Sequence, residues 1–334
     1  MTARRAMPDP VQRRRALRWL TACTLLWALS FPGMKALVLA QQALLPGVDS
    51  WFLTSLSVLY RFGFAALLML IFTGRNLAGL TRREIEQGLV LAGFGGLGIL
   101  LQMDGLSYTP ASTSAFLTQA YCIFIPLWLA LVNHRWPALK PSLCIGLVIA
   151  GVAALAGIHA HSLKLGRGEL ETLGAALLFT GQILALEHAR YAGNRPALFS
   201  TVMFAAMALL CVPVVVVTAP SPAACLRAFA TPATAGLLAI LVVVCTLGAY
   251  TLMNRWQPFV SSTEAGLIYC LEPVLASLFA LVLPSWLSRW AGIDYPDERL
   301  THQLLLGGGL ITAANLLLHS PWREPRPHPP APGV

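Results

Sequence analysis

Residues 112–132 read STSAFLTQAYCIFIPLWLALV, and residues 262–282 read STEAGLIYCLEPVLASLFALV. Laid one on the other without gaps, they share Ser, Thr, Ala, Leu, Ala, Leu and Val, seven of 21 positions. Both are apolar almost throughout, and each is long enough to cross a bilayer core at about 20 residues per helix. A nearly equal offset lays LLWALS (25–30) on LLFTGQ (177–182). The two halves of the chain therefore read as copies of one unit.

Working outward from these segments, apolar runs fall at about 17–40, 52–73, 86–107, 110–132, 142–159, 168–188, 198–218, 234–253, 262–284 and 302–319. Five runs to a copy is an odd number, so the second copy must enter the membrane upside down relative to the first. The expected fold is an all-α integral membrane protein, with ten transmembrane helices as two inverted five-helix repeats. Residues 1–16 form a basic cytoplasmic tail, 17–159 the first repeat, 160–319 the second, and 320–334 a Pro-rich cytoplasmic tail. The short break at Ser107-Tyr108-Thr109-Pro110 is acceptable because proline suits the first turn of a helix and discourages helix in the residue before it.

Composition agrees. Of 334 residues, 57% are apolar and 11% charged, and mean hydropathy is +0.68. Soluble domains run at about 45–50% and about 25%. A soluble enzyme is excluded, because too few polar side chains remain to cover a wet surface. The net charge of +9 would point to nucleic acid in a soluble protein, but here the basic residues lie between apolar runs. With the N-terminus in the cytoplasm, 16 of the 23 Lys and Arg fall inside, five fall outside, and Lys35 and Arg61 lie within runs. That bias places both termini in the cytoplasm of a multi-pass protein of the cell inner membrane. All seven cysteines except Cys225 lie in apolar runs and none forms a CxxC, which reads as free thiols. No metal or other cofactor is expected. The GxGxxG match at Gly93–Gly98 lies inside an apolar run, with no βαβ context. With Gly88, Ala92 and Gly96 it reads as a flat helix-packing face.

Charge within a bilayer is costly, about 2.5–3.5 kcal/mol at a helix centre on insertion scales. It therefore faces a cavity or a partner. Arg61 and Glu272 sit near the middle of their runs, at similar depth, and are expected to pair, either as a solute or proton site or as an ion pair that fixes packing. Lys35, toward the outer end of the first run, either snorkels or meets a solute carboxylate. Glu187 is its counterpart in the second half. Asp104 and Glu264 stand near run ends and read as solvated. Pro273 removes a helical hydrogen bond to the Tyr269 carbonyl and reads as a hinge or a static kink. Gln119, Tyr121, Gln182 and Tyr269 offer uncharged donors and acceptors, for a solute or for bonds between helices. In the alignment of the halves Gln119 falls on Tyr269, and Ser30 on Gln182. His159 and His161, with Glu169, Glu171 and His302, read as solvated outer-end residues. Pro284–Leu300, with Trp286 and Trp290 one turn apart, reads as an interfacial segment.

Four motifs in order carry a family resemblance: Leu26-Trp27-Ala28-Leu29-Ser30-Phe31-Pro32 with Lys35; Tyr60-Arg61-Phe62; Gly105 to Ser112 followed by Ala115-Phe116-Leu117-Thr118; and Leu271-Glu272-Pro273-Val274. Over about 18–318 the chain resembles the EamA-type family of drug/metabolite transporters. The resemblance implies ten helices, an inverted five-plus-five repeat, cytoplasmic termini and a central cavity for small solutes, in many members an export route for amino acids or other metabolites. Asp104 departs from the pattern, which has an apolar or aromatic residue there.

The expected function is a secondary transporter, an exporter of a small metabolite such as an amino acid. Its partners are the solute, the lipid bilayer and protons as a coupling ion, without nucleic acid; a homodimer fits the sequence equally. The substrate-binding candidates are Lys35, Arg61, Gln119, Tyr121, Gln182, Tyr269 and Glu272, with Pro273 as hinge. No nucleotide-binding motif or room for an ATPase domain is present. A flippase for a lipid-linked intermediate shares the fold logic. An intramembrane enzyme fits less well, since no HExxH occurs and the histidines lie at run ends or in loops.

Overall fold

The computed structural model describes residues 10–132, 139–155, 165–260, 265 and 268–319, and these are helical without a strand. The first helix, α1, is Pro10–Leu44. The second, α2, is Ser50–Thr73, started by the Asp49 carboxylate, which accepts from the Trp51 N–H at 2.8 Å. The third, α3, is Arg82–Gly105, and it opens on a reciprocal cap. The Thr81 hydroxyl accepts from the Glu84 N–H at 3.2 Å and the Glu84 carboxylate accepts from the Thr81 N–H at 2.9 Å, so two otherwise orphaned donors are satisfied. The expected turn follows, and α4 begins at Ala111 with Pro110 as its cap.

Helix α4 (Ala111–Thr118) and helix α5 (Tyr121–Val132) are separated by a turn at Gln119–Ala120. Then come α6 (Leu139–Leu155), α7 (Arg167–Glu187), α8 (Pro196–Thr218) and the short α9 (Pro222–Arg227). Helix α10 (Pro232–Ile240) runs through a π-helical segment, Leu241–Gly248, into α11 (Ala249–Trp256). After a turn at Cys270 come α12 (Leu271–Ala280), α13 (Leu283–Ala291), bent by 53° from it, and α14 (His302–His319). Gly292, at φ +65°, ends α13 in the left-handed conformation that suits glycine.

Among the described residues, six helices are long and apolar enough to cross a membrane, and the bent α12–α13 pair makes a seventh if it counts as one span. This is the architecture of a multi-pass membrane protein. The other apolar runs give shorter or interrupted elements. The Gln119–Ala120 turn divides one, α6 has 17 residues, and α14 is diluted by His302, Gln303, Asn315 and His319. Large apolar side chains such as Ile71, Phe72, Val216 and Val217 face outward, the reverse of a water-soluble bundle.

Packing is ordered. Helix α2 runs along α8, α6 along α14, and α4 against α12. Helix α3 packs on α7, and α1 packs on the α10–α11 unit. Several contacts allow no side chain. A Cβ at Gly88 would stand 2.7 Å from Val202 and 2.8 Å from the Phe199 carbonyl oxygen, and one at Gly307 would stand 2.6 Å from the Gly151 carbonyl oxygen. Such close approach replaces the hydrophobic drive that helices lack in lipid. Within the glycine-rich match, Gly95, Gly96 and Gly98 stand on such a face toward α7 and α8, and Gly93 does not.

Each end of the bundle carries a polar cluster. At the Glu84 end, the Glu84 carboxylate accepts from the Arg195 N–H at 3.0 Å and its Nε at 2.7 Å, and Glu86 pairs with Arg190 at 2.6 Å. The hydrogen bond to Glu84 holds the Arg195 guanidinium above its usual value. At the other end, Arg167 pairs with Asp104 and Glu171. Asp104 is 0% exposed and also accepts from the Thr54 hydroxyl at 3.2 Å. The sequence reading placed it in solvent. Its position on the face of α3 toward α2 and α7 buries it instead, and Arg167 compensates the charge. Glu264, His159 and His161 lie outside the described residues, as does the side chain of Glu187.

Candidate functional site

Between α1, α2, α3, α7, the α10–α11 unit and α12 lies a cavity of about 60 Å³. At roughly 10–15 Å³ of such space per water, it holds a handful of waters or a solute of a few heavy atoms. Trp27, Phe179, Tyr250 and Tyr269 give it an aromatic wall. The Trp27 ring centroid is 5.6 Å from those of both Tyr250 and Tyr269. Polar groups come from Ser30, Gln102, Thr118, Tyr121 and Gln182, and charge from Arg61 and Glu272. Trp27 and Phe179 occupy the same place in the alignment of LLWALS with LLFTGQ, as do Ser30 and Gln182. Both pairs line this one space.

Arg61 is 2% exposed. Its Nε donates to the Thr246 hydroxyl at 2.6 Å, Nη2 to the Cys245 carbonyl at 3.4 Å, and Nη1 approaches the Met34 sulfur at 3.1 Å. Thr246 and Cys245 belong to the π-helical segment, and the Thr246 hydroxyl in turn donates to the Leu241 carbonyl at 2.8 Å. The guanidinium fork therefore pins that segment to α2. Glu272 is 7% exposed, and the Gln119 amide approaches it at 3.5 Å.

The expected Arg61–Glu272 ion pair does not form: both side chains line the cavity, but among the described residues each bonds uncharged groups. The reason is the π segment, which occupies the guanidinium. Lys35 does not line the cavity either. Its ammonium donates to the Leu106 and Thr109 carbonyls, the latter at 3.4 Å, and so caps the C-terminal end of α3, where the helix dipole favours a cation. Pro273 is not a mid-helix hinge. The helix is broken one turn earlier, at Cys270, and Pro273 sits in the first turn of α12, where no N–H is needed. The Tyr269 carbonyl, just ahead of that break, accepts from Gln119 Nε2 at 2.8 Å.

Of the named candidates, Arg61, Tyr121, Gln182, Tyr269 and Glu272 line the cavity, Gln119 stands directly behind it, and Lys35 lies apart. Gln182 Nε2 is buried without a hydrogen-bond partner among the described residues. Gln102 and Thr118 were missed. Gln102 Nε2 donates to Thr118 Oγ1 at 2.9 Å, and both stand one or two turns inside run ends, where a polar residue draws no notice. No group of acidic, histidine or cysteine side chains suited to a metal occurs among the described residues.

No family model matches the chain, and no curated protein does. Sixteen chains of solved structures match its fold. One, a crystal structure described only as that of a protein, superposes with a TM-score of 0.56 at 16% identity, over 91% of this chain and 96% of its own. That likeness is one of fold alone.

Proposed function

We propose that the chain is a secondary transporter of the EamA type, built from ten spans as two inverted five-helix repeats with cytoplasmic termini, and that it moves a small metabolite such as an amino acid across the inner membrane by alternating access. The observation that carries this reading is the placement of two opposite charges, Arg61 and Glu272, on one central cavity without an ion partner among the described residues. A buried charge left uncompensated is costly, and a solute bearing both signs satisfies the two at once.

The packing supports the repeat. Exchange of the halves maps the α2–α8, α4–α12 and α6–α14 contacts onto themselves, and α3 on α7 onto α1 on the α10–α11 unit. The two runs of the opening alignment are interrupted at aligned positions, the Gln119–Ala120 turn and Cys270, and meet there. Interrupted helices crossing at a repeat interface are a common way to build a transport site. The cavity is too small for a lipid-linked intermediate, which disfavours the flippase.

The test is a thermal-shift screen of the purified protein against amino acids and related metabolites, followed by counterflow of each hit in proteoliposomes. A solute that binds the folded form raises its melting temperature. Hits that show no counterflow, or no hits at all, reject the reading.

A further inference from the structure

The chain between α13 and α14, residues 292–301, crosses the Asp104 end of the bundle as a strap without regular structure. Buried Tyr295 anchors it, the Glu298 N–H donates to the Ala280 carbonyl at 2.9 Å, and Asp297 accepts from the Ser285 N–H at 2.8 Å. From this strap the Glu298 carboxylate reaches α4, 186 residues away in sequence. It accepts from the N–H groups of Ala111 at 2.8 Å and Ser112 at 3.4 Å, and from the Ser112 hydroxyl. Pro110, the local cap residue, gives α4 no side-chain cap, so a carboxylate from the other half of the chain fills that role. Helix α4 ends at Thr118 and Gln119, one on the cavity wall and one behind it.

A second contact bridges the same end. Arg167 on α7 pairs with Asp104 on α3, hydrogen bonds the Tyr108 hydroxyl at 2.7 Å and lies 4.3 Å over the Tyr108 ring. The two contacts differ in what release would leave behind. Freed from Arg167, Asp104 would be a fully buried carboxylate with one hydroxyl for company. Freed from α4, Glu298 would return to water from a half-buried site. The first contact is a clamp and the second can open.

We infer that the strap is a latch, in which Glu298 capping α4 holds the cavity shut at this end and its release lets α4 swing away and opens the cavity to that side. This rests on the transporter reading for its purpose, but its structural claim stands by itself. Gly105 and Gly168 add to the seal. A Cβ at Gly168 would lie 2.7 Å from the Gly105 carbonyl oxygen, so α3 and α7 leave no passage between them there.

The test uses the full chain in sealed proteoliposomes, with the seven native cysteines replaced by alanine and a reporter Thr118→Cys on the cavity wall. A membrane-impermeant maleimide is added on the Glu298 side. Glu298→Ala raises the labelling rate about tenfold, the scale of losing a helix cap, whereas Glu298→Gln, which keeps an acceptor for the Ala111 N–H, stays near the parent rate. If Glu298→Ala does not fold, Ser112→Ala removes part of the same contact and raises labelling by a smaller factor. Labelling unchanged in the folded variant overturns the latch, whether amide exchange at Ala111 and Ser112 rises, leaving Glu298 a structural cap, or does not. The labelling requires no solute, so a protein that opens to maleimide but moves nothing rejects the transport reading and leaves the latch intact.

Discussion

Gln119 Nε2 donates at 2.8 Å to the carbonyl oxygen of Tyr269, which immediately precedes the helix break at Cys270. The two residues hold aligned positions in the two halves of the chain, so the bond ties one interrupted helix to the other where they cross. Gln119 is fully buried, and the Tyr269 ring forms part of the cavity wall. The backbone of one half is thereby held by a side chain of the other.

The first prediction follows directly. Gln119→Leu leaves the Tyr269 carbonyl without this donor and costs about 1–3 kcal/mol, read as a lowered melting temperature. An unchanged melting temperature in the folded variant would show that the carbonyl is satisfied in another way.

Glu272 supplies a carboxyl group to the cavity wall and is approached by the Gln119 amide at 3.5 Å. Glu272→Gln preserves its size and removes its charge. Flux driven by a pH gradient in proteoliposomes is expected to fall to background, with counterflow of the same solute retained at a reduced rate. Undiminished gradient-driven flux removes Glu272 as the proton carrier.

Asymmetry is expected at the Asp104 clamp. Arg167 is 43% exposed and Asp104 0%, so removal of either partner is unequal. Arg167→Ala strands a buried carboxylate and costs about 1–3 kcal/mol, less than the roughly 3–5 kcal/mol of a fully buried pair because solvent screens the arginine. Asp104→Asn leaves a guanidinium that water can reach and costs less. Chemical unfolding in detergent ranks the two, and the reverse order contradicts the burial of Asp104.

Gly88→Leu drives a side chain into Val202 and the Phe199 backbone on α8. A loss of at least about 1–3 kcal/mol is expected for such overpacking, measured as a reduced yield of folded protein and a lower melting temperature. Gly93→Leu in the same helix, where a Cβ would meet nothing within 4 Å, is tolerated. Equal effects at the two positions would place the packing face elsewhere.

Much of the architecture is legible without coordinates. Where helices lie, that many are apolar enough to enter a bilayer, and that Arg61, Tyr121, Gln182, Tyr269 and Glu272 deserve notice all follow from local rules. A charge or a run of apolar side chains has a cost that depends on the solvent alone, and a single residue carries that information. What polar groups touch does not follow. The sequence paired Arg61 with Glu272 by depth, but the guanidinium bonds a π-helical turn whose existence no propensity announces. It set Asp104 in water and Lys35 on the cavity or at the headgroups, while the angle at which α3 meets α1, α2 and α7 buries the first and turns the second onto a helix end. Gln102 and Thr118 became visible only through their contact. Composition and periodicity determine which groups must be satisfied, because desolvation acts on each residue separately. Which partner satisfies each one is decided by the rotation and crossing of whole helices, a collective outcome that only the packed chain records.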